Sequence, residues 1–172
     1  MRIAILTPLF PPDIGDPAPY TKFLASKLNE YEVSVYLYGH LPENIPGVKF
    51  VCTDKRLWLP LRIFLFFFKI FLVQHKYQKI IINNGPSTEL PALLISFFSK
   101  NKMILIQSYP LVEPKGLYKA VHNILKNRVR SVDITHAAER YLPEILPFKE
   151  ISEIEINNHK QWWKKHILEL TK

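Results

Sequence analysis

The chain has 172 residues, 48% of them hydrophobic, one cysteine and a net charge of +8. That length suits a single domain with a real core, and the charge favours anionic partners: phosphorylated substrates, an acidic membrane surface or nucleic acid. Cys52 alone excludes an internal disulfide and a multi-cysteine metal site, and it fits a reducing cytoplasm. Met1-Arg2 leads straight into an apolar run, without the separate charged region and cleavage site of a signal peptide.

Taken in chain order, residues 2–9 read as a first strand, followed by a loop rich in proline. Residues 18–30 read as a helix, with Tyr20, Phe23, Leu24 and Leu28 at helical spacing. Strands are expected at 32–38 and 48–53. A long apolar helix is expected at 59–75, and a fourth strand at 79–83, closed by Asn84-Gly85-Pro86. A helix over 87–99, a strand over 103–108, a basic helix over 117–130 and a short sixth strand over 133–137 complete the alternation. Strands separated by helices imply right-handed crossovers and a mostly parallel sheet. KIIIN and MILIQ are continuous apolar runs, as expected of strands covered on both faces. Residues 149–172 form a tail in which Trp163, Ile167 and Leu170 share one helical face. Two readings of that face are open: a binding interface, including self-association, or packing onto the chain's own sheet.

The segment 57–73, LWLPLRIFLFFFKIFLV, carries two charges and is short for a span, which needs about 20 apolar residues. Lys55, Arg62, Lys69 and Lys76 recur every seven residues, so they form one stripe that drifts only about 20° per heptad. One reading lays this stripe and neighbouring aromatics, Phe66 among them, on anionic lipid at the inner face of the cell membrane. The other makes it a core helix whose stripe faces water. Nucleic acid is set aside as a partner, because no nucleic-acid motif of the right spacing is present.

Strand, tight loop and helix start together build an anion site in α/β proteins, since free N–H groups and the helix dipole point at the loop. The opening residues MRIAILTPLFPPDIGDPAPY resemble those of family 4-type glycosyltransferases of the GT-B fold, whose first strand ends in a P-P-x-x-G-G loop. Here the loop is Pro11-Pro12-Asp13-Ile14-Gly15-Asp16, with Asp16 in place of the second glycine. Asp16 is read either as a helix N-cap or as a contact to acceptor hydroxyls. The family also carries a histidine after the fifth strand, where this chain has Gln107-Ser108-Tyr109-Pro110. Gln107 and Ser108 can bind hydroxyls but transfer protons poorly.

The resemblance covers about residues 1–145 and implies a Rossmann-like α/β domain over 1–148 that forms the N-terminal, acceptor-binding half of such an enzyme. It implies transfer of a sugar from a nucleotide-sugar to a lipid-linked or glycan acceptor. The substrate-binding candidates are Gly15, Asp16, Tyr20, Asn84, Gly85, Gln107, Ser108, His136 and Glu139. No metal, cofactor or catalytic residue is assigned. A whole GT-B enzyme needs a second, donor-binding domain, so these residues are expected to be inactive alone. The alternatives are one subunit of a split enzyme paired with a donor-domain protein, and a non-catalytic binding module.

Overall fold

The computed structural model describes residues 1–13, 17–107, 115–134 and 153–172. Six strands are seen: β1 (Arg2–Thr7), β2 (Glu32–Tyr38), β3 (Val48–Thr53), β4 (Lys79–Asn83), β5 (Met103–Gln107) and β6 (Arg130–Asp133). They form one sheet of order β3-β2-β1-β4-β5-β6, and every neighbouring pair is parallel. The helices are α1 (Ala18–Lys27), α2 (Leu59–Phe71), α3 (Pro86–Ser99), α4 (Gly116–Arg128) and α5 (Glu153–Thr171). The expected α/β class, Rossmann-like with helices on both faces, is thus the observed one.

Strand alternation sorts the core into two layers. Ile3, Ile5, Val33, Val35, Leu37, Ile81, Ile104 and Ile106 face α1 and α5. Ala4, Leu6, Tyr36, Tyr38, Ile80, Ile82 and Leu105 face α2, α3 and α4. Right-handed crossovers produce this division: the chain moves one way across the sheet from β1 to β2 and the other way from β3 onward, which sends the connecting helices to opposite faces.

Several boundaries differ from the sequence reading; α1, for one, ends at Lys27 rather than at residue 30. The first strand ends at Thr7, not at residue 9, because the Thr7 hydroxyl turns the chain by donating to the Leu9 carbonyl at 2.6 Å. The long helix stops at Phe71 and gives way to a 3-10 turn, Gln74–Lys76. The sixth strand is Arg130–Asp133 rather than 133–137, pairing Ile106 with Val132. It is an edge strand that buries one valine, so its polar sequence RSVD hides the strand while the next apolar residues imitate one.

The tail helix α5 belongs to the α1 layer. Trp163 and Leu170 are buried, and Trp163 stacks on Tyr20 with ring centroids 5.8 Å apart. Of the two readings of the tail, packing on the chain's own sheet is the one observed.

Candidate functional site

In an open parallel sheet, ligands bind beyond the carboxyl ends of the strands where the strand order reverses. Here that point lies between β1 and β4. The β1 loop and the β4 loop touch there. Gly85 holds φ at 153°, and a Cβ on it would sit 3.2 Å from Pro8 Cγ, so only glycine lets the two loops approach this closely.

Beneath this junction lies a buried polar floor. Asn83 Nδ2 donates to Thr21 Oγ1 at 2.6 Å, and Thr21 in turn donates to the Pro17 carbonyl at 2.9 Å. Thr88 Oγ1 donates to the Asn83 carbonyl at 2.8 Å. Asn83 Oδ1 is buried without a hydrogen-bond partner among the described residues. An unpaired buried acceptor costs about 1–3 kcal/mol; Asn83 is 1% exposed, so that cost is borne inside the core.

On the β2 side a concavity of about 220 Å3 is lined by Phe10, Asp13, Gly39, His40 and Lys55, among others. Lys55 pairs with Asp13, and His40 Nε2 lies 2.8 Å from Asp54 Oδ1. Charges of both signs therefore ring the carboxyl ends of β1, β2 and β3.

On the β5 side lies a group that the sequence reading did not single out. Glu89 on α3 is fully buried, at 0% exposure. Its Oε1 accepts from the Gly85 backbone N–H at 3.0 Å and from the Tyr118 hydroxyl at 3.0 Å, and its Oε2 lies 2.9 Å from His122 Nδ1. The opposite ring nitrogen, Nε2, lies 3.1 Å from Gln107 Nε2. Burial, then the charge of Glu89 and its hydrogen bond, holds the Tyr118 hydroxyl above the ordinary phenol range, which keeps it a donor. His122 on α4 thus brings an imidazole to the carboxyl end of β5. Tyr118, His122 and Leu125 at helical spacing are the signal that could have found it.

Of the sequence candidates, Asn84, Gly85 and Gln107 stand together at the carboxyl ends of β4 and β5. Gly15, Asp16, Ser108, His136 and Glu139 lie outside the described residues. The N-cap of α1 is Pro17, without a side-chain cap, and the capping reading of Asp16 lies outside the described residues. Tyr20 does not face the crevice. Its ring is buried under α5 and its hydroxyl lies 2.7 Å from His166 Nε2, so it serves the core.

The basic stripe is corrected as well. Lys55 is held by Asp13, Arg62 Nη1 donates to the Lys55 carbonyl at 2.9 Å, and Lys69 Nζ donates to the Cys52 carbonyl at 2.6 Å. Three of the four cations therefore turn toward the sheet edge: Arg62 and Lys69 reach the carbonyls of Lys55 and Cys52, and Lys55 reaches the Asp13 carboxylate; Lys76 is exposed. Phe66, at 0% exposure, stacks on Tyr38 at 4.4 Å and cannot meet lipid. At the start of α2 Trp58 is 76% exposed, and on α2 and α3 Leu61, Phe64, Phe68, Phe97 and Phe98, the last at 69%, are exposed as well. Among the described residues no helix is long and apolar enough to cross a membrane.

Comparison with protein-family models finds no match for this chain, and comparison with curated proteins finds none either.

Proposed function

We propose that the chain is the acceptor-binding half of a glycosyltransferase of GT-B type, receiving a lipid-linked or glycan acceptor in the crevice between β1 and β4. The supporting observation is the reversal of strand order at β1 and β4, with the Gly85–Pro8 contact above a floor of hydroxyl and amide groups. Asn84 and Gln107, which keep partial exposure at the carboxyl ends of β4 and β5, are suited to sugar hydroxyls, since each offers donors and acceptors without a fixed charge. The opening residues add to this reading. Donor recognition calls for a second Rossmann-like unit facing the crevice, in the same chain or another.

The exposed aromatics of α2 and α3 support peripheral attachment to a bilayer, which suits a lipid-linked acceptor. Phe71 and Phe98 meet edge to face at 5.3 Å, joining the two helices into one apolar surface.

Calorimetric titration of the 172 residues tests the reading. A short-chain polyprenyl-phosphate sugar is expected to bind, while nucleotide-sugars bind weakly or not at all. Tight binding of a nucleotide-sugar with no binding of the lipid-linked sugar would assign the crevice to donor chemistry instead.

A further inference from the structure

Glu89 and His122 form a carboxylate–imidazole pair from two different helices, placed at the carboxyl end of β5. Three groups converge on Glu89: the Gly85 N–H and the Tyr118 hydroxyl donate to Oε1, and ring Nδ1 lies 2.9 Å from Oε2. An ionised carboxylate has no hydrogen to give. With Glu89 ionised, Nδ1 is the donor to Oε2, and Nε2 presents a lone pair. Gln107 Nε2, 3.1 Å away, is the donor that fills it in the absence of a ligand. The imidazole keeps 16% of its side-chain surface exposed, whereas Glu89 is sealed beneath it.

We propose that His122 Nε2 is a hydroxyl-accepting point of the crevice, where a sugar O–H takes the place of the Gln107 amide, and that Glu89 is its positioning residue. This rests on reading the crevice as a sugar-acceptor site. The ligand class follows from the chemistry. Nε2 with a bare lone pair attracts a neutral donor, and the sealed carboxylate behind it disfavours an anion. A carbohydrate hydroxyl fits, and a phosphate does not. Gln107 then turns its amide to a neighbouring ligand oxygen, so two adjacent groups of the sugar are read by one imidazole and one carboxamide. Glu89 fixes the ring through Nδ1, the arrangement that sets a histidine's tautomer and orientation.

The test uses the full chain labelled with 15N, and two-bond nitrogen–proton correlations of the imidazoles. The free protein is expected to show His122 with Nδ1 protonated and Nε2 bare. Methyl glycosides of glucose, galactose, mannose and N-acetylglucosamine are then added in turn. At least one is expected to move the His122 Nε2 resonance together with the Gly85 amide. In Glu89→Gln the tautomer ratio is expected to shift toward Nε2–H, and the affinity for that glycoside to fall about tenfold, the loss of one well-placed hydrogen bond. A ring protonated at Nε2 in the free protein would overturn the proposal without recourse to any variant. So would a glycoside that moves the Asn84 and Gly85 amides but leaves Nε2 in place. That second result would leave the acceptor-site reading standing and reduce the pair to a strut between α3, α4 and β5. Glycosides that move no crevice amide at all would instead remove the reading on which the proposal rests, and the proposal with it.

Discussion

At the scale of single residues, the α1–α5 layer depends on an unusual polar contact. Burial lowers the pKa of His166 to about 4, opposed in part by Glu169. The same burial raises the Tyr20 hydroxyl above the ordinary phenol range. A histidine whose folded pKa lies below its unfolded value of about 6.5 binds more protons when unfolded. Its neutral state therefore supports the fold fully above pH 6.5, and that support is lost as pH falls toward 4, by at most about 3 kcal/mol. Denaturant melts between pH 7 and pH 4 are expected to show this loss. His166→Gln should flatten the profile in that window, and an unchanged slope would mean that the imidazole is not the group responsible. Tyr20→Phe removes one partner of the 2.7 Å bond and is expected to cost about 1–2 kcal/mol at neutral pH. Neither residue could be read correctly from sequence, because Tyr20 and His166 are far apart along the chain and their spacing carries no signal of the contact.

At the scale of elements, α2 separates two properties that its sequence mixes. Phe66 and Ile70 hold it to the sheet, while Phe64 and Phe68 stack on each other outside at 5.9 Å. Replacing Phe64 and Phe68 by serine is expected to abolish co-sedimentation with lipid vesicles and to leave thermal stability within about 1 kcal/mol, as surface changes do. Lys69→Met is expected to do the reverse. It removes the bond from Nζ to the Cys52 carbonyl, at a cost of about 1–2 kcal/mol in stability, and leaves vesicle binding unchanged. Vesicle binding that follows Lys69 and ignores the phenylalanines would contradict this division. Heptad spacing showed that the cations of α2 share a face but not which way that face turns, because direction is decided by the carbonyls of Cys52 and Lys55. The central strands were legible, since KIIIN and MILIQ are apolar throughout and nothing but a doubly covered strand needs that pattern. The edge strand RSVD was not, because pairing on one side requires only Val132. His122 escaped notice for a similar reason: its partner Glu89 lies on another helix, and the two meet only after the sheet is built.

At the scale of the whole molecule, the strand order gathers the β1 loop, the Asn84-Gly85 turn and Gln107 at one end of the sheet, with the apolar α2–α3 face to one side. Gly85 is the point where the halves of the sheet meet, and a Cβ there would press on Pro8 at 3.2 Å in a backbone conformation that side chains rarely adopt. A second concavity, between α1 and α5 and lined in part by Lys27, Tyr31, Trp163 and Lys164, offers a ligand a different address far from that junction. Amide chemical-shift mapping of the labelled chain with a short-chain polyprenyl-phosphate sugar therefore tests the central claim most directly. The crevice assignment predicts that the largest shifts fall on Leu9, Phe10, Asp13, Asn84, Gly85 and Gln107. Shifts confined to Lys27, Tyr31, Trp163 and Lys164, or absent from the strand carboxyl ends altogether, would contradict it.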